Sequence, residues 1–192
     1  MASPSWIRIA TLQDAPALAA IYAPYVAETA VSLEASPPDE AEMAARVARL
    51  GPDFPWLVCE QEGRALGYAY AAPYAERAGY RWSAAATVYV ARDAHRAGIG
   101  RALYRRLLSI LELQGFHAVF GGITLPNAAS VGLHEACGFS QVGVYREVGY
   151  KLGAWHDVGW WGLTLGAPAH DPAPPLAFST DLFQKASSAG PC

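Results

Sequence analysis

The sequence contains little cysteine and no hydrophobic run long enough to span a membrane. Its three cysteines, Cys59, Cys137 and Cys192, are widely separated and odd in number. This pattern argues against a disulfide framework, and we interpret them as reduced thiols without a catalytic role. A spanning helix needs about 20 apolar residues, and residues 1–5 lack the charged and apolar regions of a signal peptide. The sequence therefore predicts a cytoplasmic protein.

Charge is also sparse. Charged residues make up 16% of the chain and the formal net charge is −3, so electrostatics give no reason to expect a nucleic acid partner. We predict no metal site either, because no histidine pairs with cysteine or carboxylate at a ligand-like spacing. The five histidines are His95, His117, His134, His156 and His170.

Hydrophobic residues, by contrast, make up 53% of the 192 residues, enough for the core of one domain. Hydrophobic periodicity and turn signals predict helices at residues 17–22, 36–50, 99 onward and 127–136, with Pro24 ending the first. They predict strands at residues 6–10, 56–60, 65–72, 83–90, 117–125, 139–145 and 155–165. This order is typical of an α+β domain with a mixed sheet.

The composition changes after Gly166. Residues 167–192 are rich in proline, alanine and serine, which is typical of a tail or linker. We therefore predict a folded domain at residues 1–166 and a C-terminal tail at residues 167–192 that carries no chemistry. If the tail docks on the domain, the side chains available for it are Leu176, Phe178, Leu182 and Phe183.

One stretch predicts an anion-binding site. The alternating strand at residues 87–90 leads through a glycine turn into a helix that begins at Ile99. The first N–H groups of a helix have no partner within it, and the helix dipole adds positive charge there. Glycine at 98 and 100 keeps these groups accessible to an anion, and arginines at 96 and 101 add full charge. The pattern favours a pyrophosphate cradle, with a glycine turn without ligand as the alternative.

The sequence of this loop excludes two other phosphate sites and resembles a third. It has no Gly-Lys-Ser/Thr, and Leu103 stands where a dinucleotide fingerprint needs its third glycine. Residues 95–102 resemble the acetyl-CoA loop of the GNAT superfamily of N-acetyltransferases, although His95 replaces the usual glutamine or arginine. Residues 78–84, 125–131, 133–139 and 148–158 resemble the phosphinothricin (methionine sulfoximine) acetyltransferase branch, in register from about residue 7 to residue 165.

The resemblance implies a fold, a cofactor and a reaction. The fold would be α+β, with a mixed, mostly antiparallel sheet that has splayed central strands and flanking helices. The reaction would be transfer of an acetyl group from acetyl-CoA directly to the α-amino group of a small amino acid or analogue. Homodimers are common in this branch. The residues implied in cofactor binding are Val88, Tyr89, Val90, His95, Arg96, Ala97, Gly98, Ile99, Gly100, Arg101, Ala102, Asn127 and Ser130.

The resemblance also implies catalytic residues, with one departure. Tyr104 matches the tyrosine that faces the CoA sulfur as general acid; plain aromatic packing is the alternative. The glutamate base of the branch is replaced by Ala85. Three explanations stay open: His134 is the base, the pocket itself favours the neutral amine, or the protein binds acetyl-CoA with little or no turnover. A surface or capping role is the alternative for His134.

For the acceptor, Arg77 matches an arginine that holds the anionic end of the substrate, but the neighbouring basic position is Ala75. Tyr80, Trp82 and Tyr25 are candidate walls of the acceptor pocket or ordinary core residues. Glu34 either faces this pocket or is solvated.

Overall fold

The structure, a computed structural model, describes residues 5–167 and 170–187 and, for Ser187, only the backbone. The predictions for residues 1–4 and for the thiol of Cys192 lie outside this part of the chain. Its helices are α1 (Ala15–Glu28), α2 (Glu40–Leu50), α3 (Ile99–Gln114), α4 (Ala128–Ala136) and α5 (Thr180–Ser187). Its strands are β1 (Trp6–Ile9), β2 (Trp56–Gln61), β3 (Arg64–Pro73), β4 (Ser83–Val90), β5 (Ala118–Leu125), β6 (Ser140–Lys151) and β7 (Ala154–Thr164).

The strands form one seven-stranded sheet in the order β1-β2-β3-β4-β5-β7-β6. Every neighbouring pair is antiparallel except β4 and β5, which are parallel. A parallel pair needs a crossover connection, and α3 supplies it. The prediction of an α+β fold with a mixed, mostly antiparallel sheet is confirmed.

Each face of the sheet carries its own hydrophobic core. On one face, α3 buries Leu103, Leu107 and Leu111, which recur at four-residue spacing, against β3, β4 and β5. On the other face, α1 and α2 bury residues such as Leu18 and Met43 against β2 and β3. The sheet is therefore covered on both sides, and ligands must reach it through gaps between the elements.

The prediction that Pro24 ends the first helix is wrong. Helix α1 continues through this proline to Glu28. Proline removes one backbone donor from the helix, but Tyr22 and Val26, on either side of it, are buried in the core under α1 and α2. Burial of these side chains outweighs the lost hydrogen bond.

Two other predicted boundaries also differ from the structure. Helix α2 begins at Glu40 rather than within residues 36–38, because Asp39 is its N-cap and accepts a hydrogen bond from the Glu42 N–H at 2.8 Å. Strand β6 continues past Tyr145 to Lys151, because an irregularity between Tyr145 and Gly149 lets the strand bend and resume pairing with β7.

The C-terminal segment packs on α3. Leu182 and Ala186 of α5 are buried, and Phe178 and Phe183 pack against the core beneath α3. The docking predicted for Leu176 is wrong for its side chain, which is exposed. The backbone of Leu176 makes the contact instead, since its carbonyl accepts a hydrogen bond from Gln114 Nε2 at 2.7 Å.

None of the helices in residues 5–167 and 170–187 is both long enough and apolar enough to cross a membrane.

Candidate active site

The sheet opens where β4 and β5 part. These strands pair over only three positions, from Ser83 opposite Ala118 to Ala85 opposite Phe120. Beyond Ala85, β4 stays paired with β3 while β5 pairs with β7. The second half of β4 therefore presents one edge of its backbone to a cleft, which confirms the predicted splay of the central strands.

One end of this cleft is the N-terminus of α3. Gly98 is its N-cap and has φ +78°, a left-handed conformation that glycine adopts without strain. A Cβ at this position would meet nothing within 4 Å, so the first turn is open on this side. Arg96 and Arg101 are exposed beside it. Open N–H groups, the helix dipole and two cations fit a diphosphate group.

Gly100 has a packing role in addition to the role in anion binding that the sequence predicts. A Cβ here would lie 3.2 Å from Leu133 Cδ2 of α4. The glycine therefore allows α3 and α4 to pack closely.

His95 fixes the start of the loop to β4 and α1. Its Nε2 lies 2.8 Å from the hydroxyl oxygen of Tyr25 and 3.1 Å from the carbonyl oxygen of Val90. The Tyr25 hydroxyl donates to the same Val90 carbonyl at 2.6 Å. The structure thus brings Tyr25 to the predicted cofactor loop, not to the predicted acceptor residues.

Tyr104 and His134 form a buried pair at the base of the cleft. Tyr104 is 1% and His134 3% exposed, and the Tyr104 hydroxyl oxygen lies 3.0 Å from His134 Nε2. The same hydroxyl lies 3.2 Å from the carbonyl oxygen of Ala86 on β4. Burial raises the pKa of Tyr104 and lowers the pKa of His134, so both side chains are neutral near pH 7. A surface role for His134 is excluded by this burial.

The contacts of His134 assign its tautomer. Nδ1 lies 2.8 Å from the carbonyl oxygen of Ser130, which can only accept, so Nδ1 carries the hydrogen. Nε2 then holds the lone pair and faces the Tyr104 hydroxyl, whose single hydrogen is shared between two acceptors, His134 Nε2 and the Ala86 carbonyl. Ser130 is itself held by the N-cap of α4, since its N–H donates to Asn127 Oδ1 at 3.0 Å. Asn127 and Ser130, which the sequence assigned to cofactor binding, thus also orient His134.

Ala85 faces the other side of the sheet. Ala84 and Ala86 are buried in the core under α3, so the alternation of β4 directs Ala85 toward the face of α1 and α2. Its partner across the strands, Ala72, lines a cavity of about 760 Å³ on that face. Aromatic side chains, Tyr70 and Tyr74 among them, form walls of this cavity.

Glu34 lines the same cavity, but its negative charge is balanced there by Arg46. Arg46 donates to both of its carboxylate oxygens, at 2.7 and 3.0 Å, and the Tyr22 hydroxyl donates at 2.9 Å. These bonds, with Arg46 first, hold the pKa of Glu34 below its usual range. A carboxylate with a lowered pKa is a weak base, so Glu34 does not replace the missing glutamate.

The remaining predicted acceptor residues lie in the β3–β4 connection, where the Tyr80 N–H donates to the Arg77 carbonyl at 2.9 Å. Tyr80 is exposed at the rim, where its ring meets the ring of Tyr74 edge-on at 5.7 Å. Arg77 precedes the short helical turn that contains Tyr80. Trp82 instead contacts the C-terminal segment, where its Nε1 donates to the Ala173 carbonyl at 2.8 Å.

The sequence analysis missed several residues of the cavity, including Arg46, Tyr70 and Tyr74. Alternation along β3 could have placed Tyr70 on the same face as Ala72, but the position of Arg46 depends on how α2 packs. Within the described ranges, no group of three or more histidine, cysteine or acidic residues could hold a metal ion.

A sheet that is split between two central strands, with a glycine-capped helix N-terminus at one end of the gap, is typical of one class of proteins. This class is the acyltransferases that use a pantetheine cofactor. The sequence profile described as Acetyltransferase (GNAT) domain matches residues 7–160. The chain belongs to this family of acetyltransferases, whose acyl donor is acetyl-CoA.

Relatives with named activities support the same branch. The chain is 42% identical over 166 residues to a phosphinothricin N-acetyltransferase of Streptomyces viridochromogenes, with 86% of this chain and 91% of that protein covered. It is 35% identical over 161 residues to an L-methionine sulfoximine/L-methionine sulfone acetyltransferase of Pseudomonas paraeruginosa, with 83% and 94% covered. These relatives confirm the predicted branch and the prediction of an N-acetyltransferase.

A solved structure agrees with the fold. The GNAT superfamily phosphinothricin acetyltransferase of Sinorhizobium meliloti, in complex with acetyl-CoA, aligns with a TM-score of 0.84 and 32% identity. The alignment covers 88% of this chain and 93% of that one. The GNAT fold inferred from the loop is therefore confirmed.

Proposed function

We propose that the protein transfers the acetyl group of acetyl-CoA to the α-amino group of a small amino acid or analogue of the phosphinothricin and methionine sulfoximine type. The observation that carries this proposal is the cleft between β4 and β5, with an open helix N-terminus at one end and buried Tyr104 at its base. The named activities of the relatives suggest the acceptor class.

The residues of the cleft would hold the cofactor along its length. The first-turn N–H groups of α3, with Arg96 and Arg101, bind the diphosphate. The free backbone edge of β4, at Val88, binds the pantetheine arm and the thioester carbonyl, whereas the backbone groups of Tyr89 face β3. When bound, acetyl-CoA supplies an activated acetyl group. Tyr104 would give its hydroxyl hydrogen to the departing sulfur, which would replace its present partners, His134 Nε2 and the Ala86 carbonyl, as the acceptor. The Val90 carbonyl is not available to the cofactor because it already accepts from Tyr25.

The acceptor would bind in the cavity beside Ala85. Tyr70 and Tyr74 supply apolar walls, and Arg77 lies in the connection near its rim. An amine with a lysine-like pKa of about 10.4 is neutral in fewer than about 0.1% of molecules at pH 7, and an α-amino group, whose pKa is lower, is still mostly protonated. Ala85 has no group that can take a proton, and both ring nitrogens of His134 are occupied. We therefore propose that water removes the proton and that the cavity lowers the pKa of the amine.

A second candidate function rests on Ala85. Without a general base, which typically contributes about 10²–10⁴-fold, the protein could bind acetyl-CoA and turn over too slowly to act as an enzyme. Binding and turnover must therefore be measured separately.

The test combines calorimetry with a CoA-release assay. The purified protein is titrated with acetyl-CoA and CoA, and release of CoA is followed with phosphinothricin, methionine sulfoximine, methionine sulfone and the common amino acids. An N-acetylated acceptor is the control for hydrolysis. Acceptor-dependent release with binding supports the proposal. Binding without release on any acceptor supports the second candidate, and absence of binding contradicts both.

We also propose a homodimer and a cytoplasmic location. Strand β6 lies at the edge of the sheet, and the β6–β7 hairpin exposes a group of large apolar side chains that a second copy could cover. They are Val142, Tyr145, Val148, Tyr150, Leu152 and Trp155. The odd number and wide separation of the three cysteines in the sequence support a reducing compartment.

A further inference from the structure

We infer that His134 acts through Tyr104 and not on the acceptor amine, and that Gly121 is the positioning residue that admits the imidazole to its site. This inference rests on the proposed acetyl transfer. It decides between explanations that the sequence left open for the replacement of the glutamate by Ala85.

The first step is the hydrogen bonding of His134. Nδ1–H donates to the Ser130 carbonyl at 2.8 Å, and the Nε2 lone pair faces the Tyr104 hydroxyl at 3.0 Å. The hydroxyl oxygen therefore occupies the place from which an amine would have to approach Nε2. His134 instead fixes the position of the Tyr104 oxygen, whose single hydrogen it shares with the Ala86 carbonyl.

The second step is packing around the ring. The imidazole meets the Tyr104 ring edge-on with centroids 5.0 Å apart, and meets the Phe139 ring in the same way at 5.2 Å. The Ala86 carbonyl is the other partner of the Tyr104 hydroxyl, at 3.2 Å. The pair is therefore held by α3, α4 and β4 together, and a shift of the imidazole would move the hydroxyl at the base of the cleft.

The third step is the glycine on β5. Gly121 lies between Val119 and Ile123, which point into the core under α3, so alternation would place an apolar side chain at 121. A Cβ at Gly121 would lie 2.8 Å from His134 Cδ2 and closer still to Nε2. The imidazole occupies the space that this side chain would fill. Any residue other than glycine must therefore displace the imidazole or β5 and disturb the contact of His134 with Tyr104.

The chain offers a matched control at the next position. A Cβ at Gly122 would lie 3.5 Å from the nearest atom of Trp160, which is ordinary van der Waals contact. Gly121→Ala and Gly122→Ala therefore add the same methyl group to the same strand, but only the first one displaces the imidazole.

The test is a set of kinetic double-mutant cycles. We expect Gly121→Ala to lower kcat by about 10²-fold, as a displacement of about 1 Å near reacting groups can, with the KM for acetyl-CoA nearly unchanged. Gly122→Ala should keep wild-type kcat. In a Tyr104→Phe background, neither Gly121→Ala nor His134→Ala should lower kcat further, because their effects pass through the hydroxyl.

The opposite results would overturn the inference. If His134→Ala lowers kcat by the same factor with and without the Tyr104 hydroxyl, His134 acts on another group, such as the amine. If Gly121→Ala and Gly122→Ala have the same kcat, Gly121 does not position the imidazole ring of His134. If Gly121→Ala does not fold, the cycle of His134→Ala with Tyr104→Phe decides alone.

A measurement without turnover separates this inference from the proposed function. The ¹⁵N shifts of the His134 ring in the free protein should show the neutral tautomer with hydrogen on Nδ1, and Nε2 should respond to Tyr104→Phe. If the wild-type protein acetylates no amine but shows these ¹⁵N shifts, the proposed function is wrong, but the inferred contact between His134 and Tyr104 is supported. A tautomer with hydrogen on Nε2 contradicts the inference whatever the activity.

Discussion

At the scale of single residues, the clearest source of pH-dependent stability is Asp14, which directly precedes α1. Asp14 accepts two hydrogen bonds from the Arg8 guanidinium, at 2.7 and 2.8 Å, and one from the Thr11 N–H at 2.7 Å. The Arg8 bonds, assisted by Thr11, lower the pKa of Asp14. Its stabilisation is therefore present above the unfolded pKa of about 3.9 and is lost as the pH falls toward the folded value.

We predict that Asp14→Asn lowers the free energy of unfolding at pH 7 by about 1.5–3 kcal/mol, the range for hydrogen bonds to charged groups. Because asparagine does not titrate, the difference between the two proteins should shrink as the pH falls below about 4. Urea unfolding at pH 7 and pH 3 measures both effects. Asp181→Asn, in the exposed pair with Lys185, is the control and should change little. A difference that does not depend on pH contradicts the assignment.

Ala85 allows a second prediction at this scale. Ala85→Glu places a carboxylate at the acceptor cavity, where it can accept the proton of the amine. We expect kcat to rise by about 10²–10⁴-fold if the missing base limits the rate. Ala85→Gln has the same shape without a base and should leave kcat near the wild-type value. An equal effect of the two substitutions would mean that another group or step limits the reaction.

At the scale of the elements, helices and strands differ in how far the local sequence determines where they begin and end. The start of α3 was predictable, because its glycine cap, its arginines and its apolar spacing all lie within a few consecutive residues. The end of α1 was not predictable, because Val26 is buried in a core that it shares with residues of α2, β2 and β3, which are distant in sequence. This burial outweighs the hydrogen bond that Pro24 removes from the helix. The length of β6 was missed for a similar reason, since its pairing with β7 resumes after an irregularity.

Helix α5 gives a prediction at the scale of the element. Its Leu182 is buried against α3, whereas the Leu176 side chain just before the helix is exposed. We expect Leu182→Ala to lower the free energy of unfolding by about 2–3 kcal/mol through lost burial and the cavity left behind. Leu176→Ala is the matched control, with a change within about 0.5 kcal/mol. Chemical denaturation of both variants checks this, and equal effects would contradict docking through α5.

At the scale of the whole molecule, the exposed apolar side chains of the β6–β7 hairpin predict self-association. We expect the protein to have twice the 20.4 kDa chain mass in light scattering at micromolar concentration. Val142→Lys, at this edge, should shift it toward the monomer, because a charge there resists burial. Leu12→Lys, at another exposed apolar side chain outside the hairpin, should not shift it. A wild-type monomer would contradict the proposed dimer.

The fold and the cofactor loop were predictable from sequence, while the inner geometry of the site was not. Tyr104 and His134 were each identified by resemblance, but nothing in the sequence predicted that one holds the other. Gly121 shows why. Two consecutive glycines in an apolar strand signal a close approach of some group, but the group is a side chain of α4, and only packing brings it there.

The short contact between β4 and β5 has a consequence for the mechanical integrity of the sheet. Strands β1 to β4 form one block and β5 to β7 another, and three residue pairs connect the two blocks across the sheet. A cofactor bound in the gap would contact both blocks and would add interactions between them. Occupancy should therefore make thermal unfolding more cooperative as well as shift its midpoint upward.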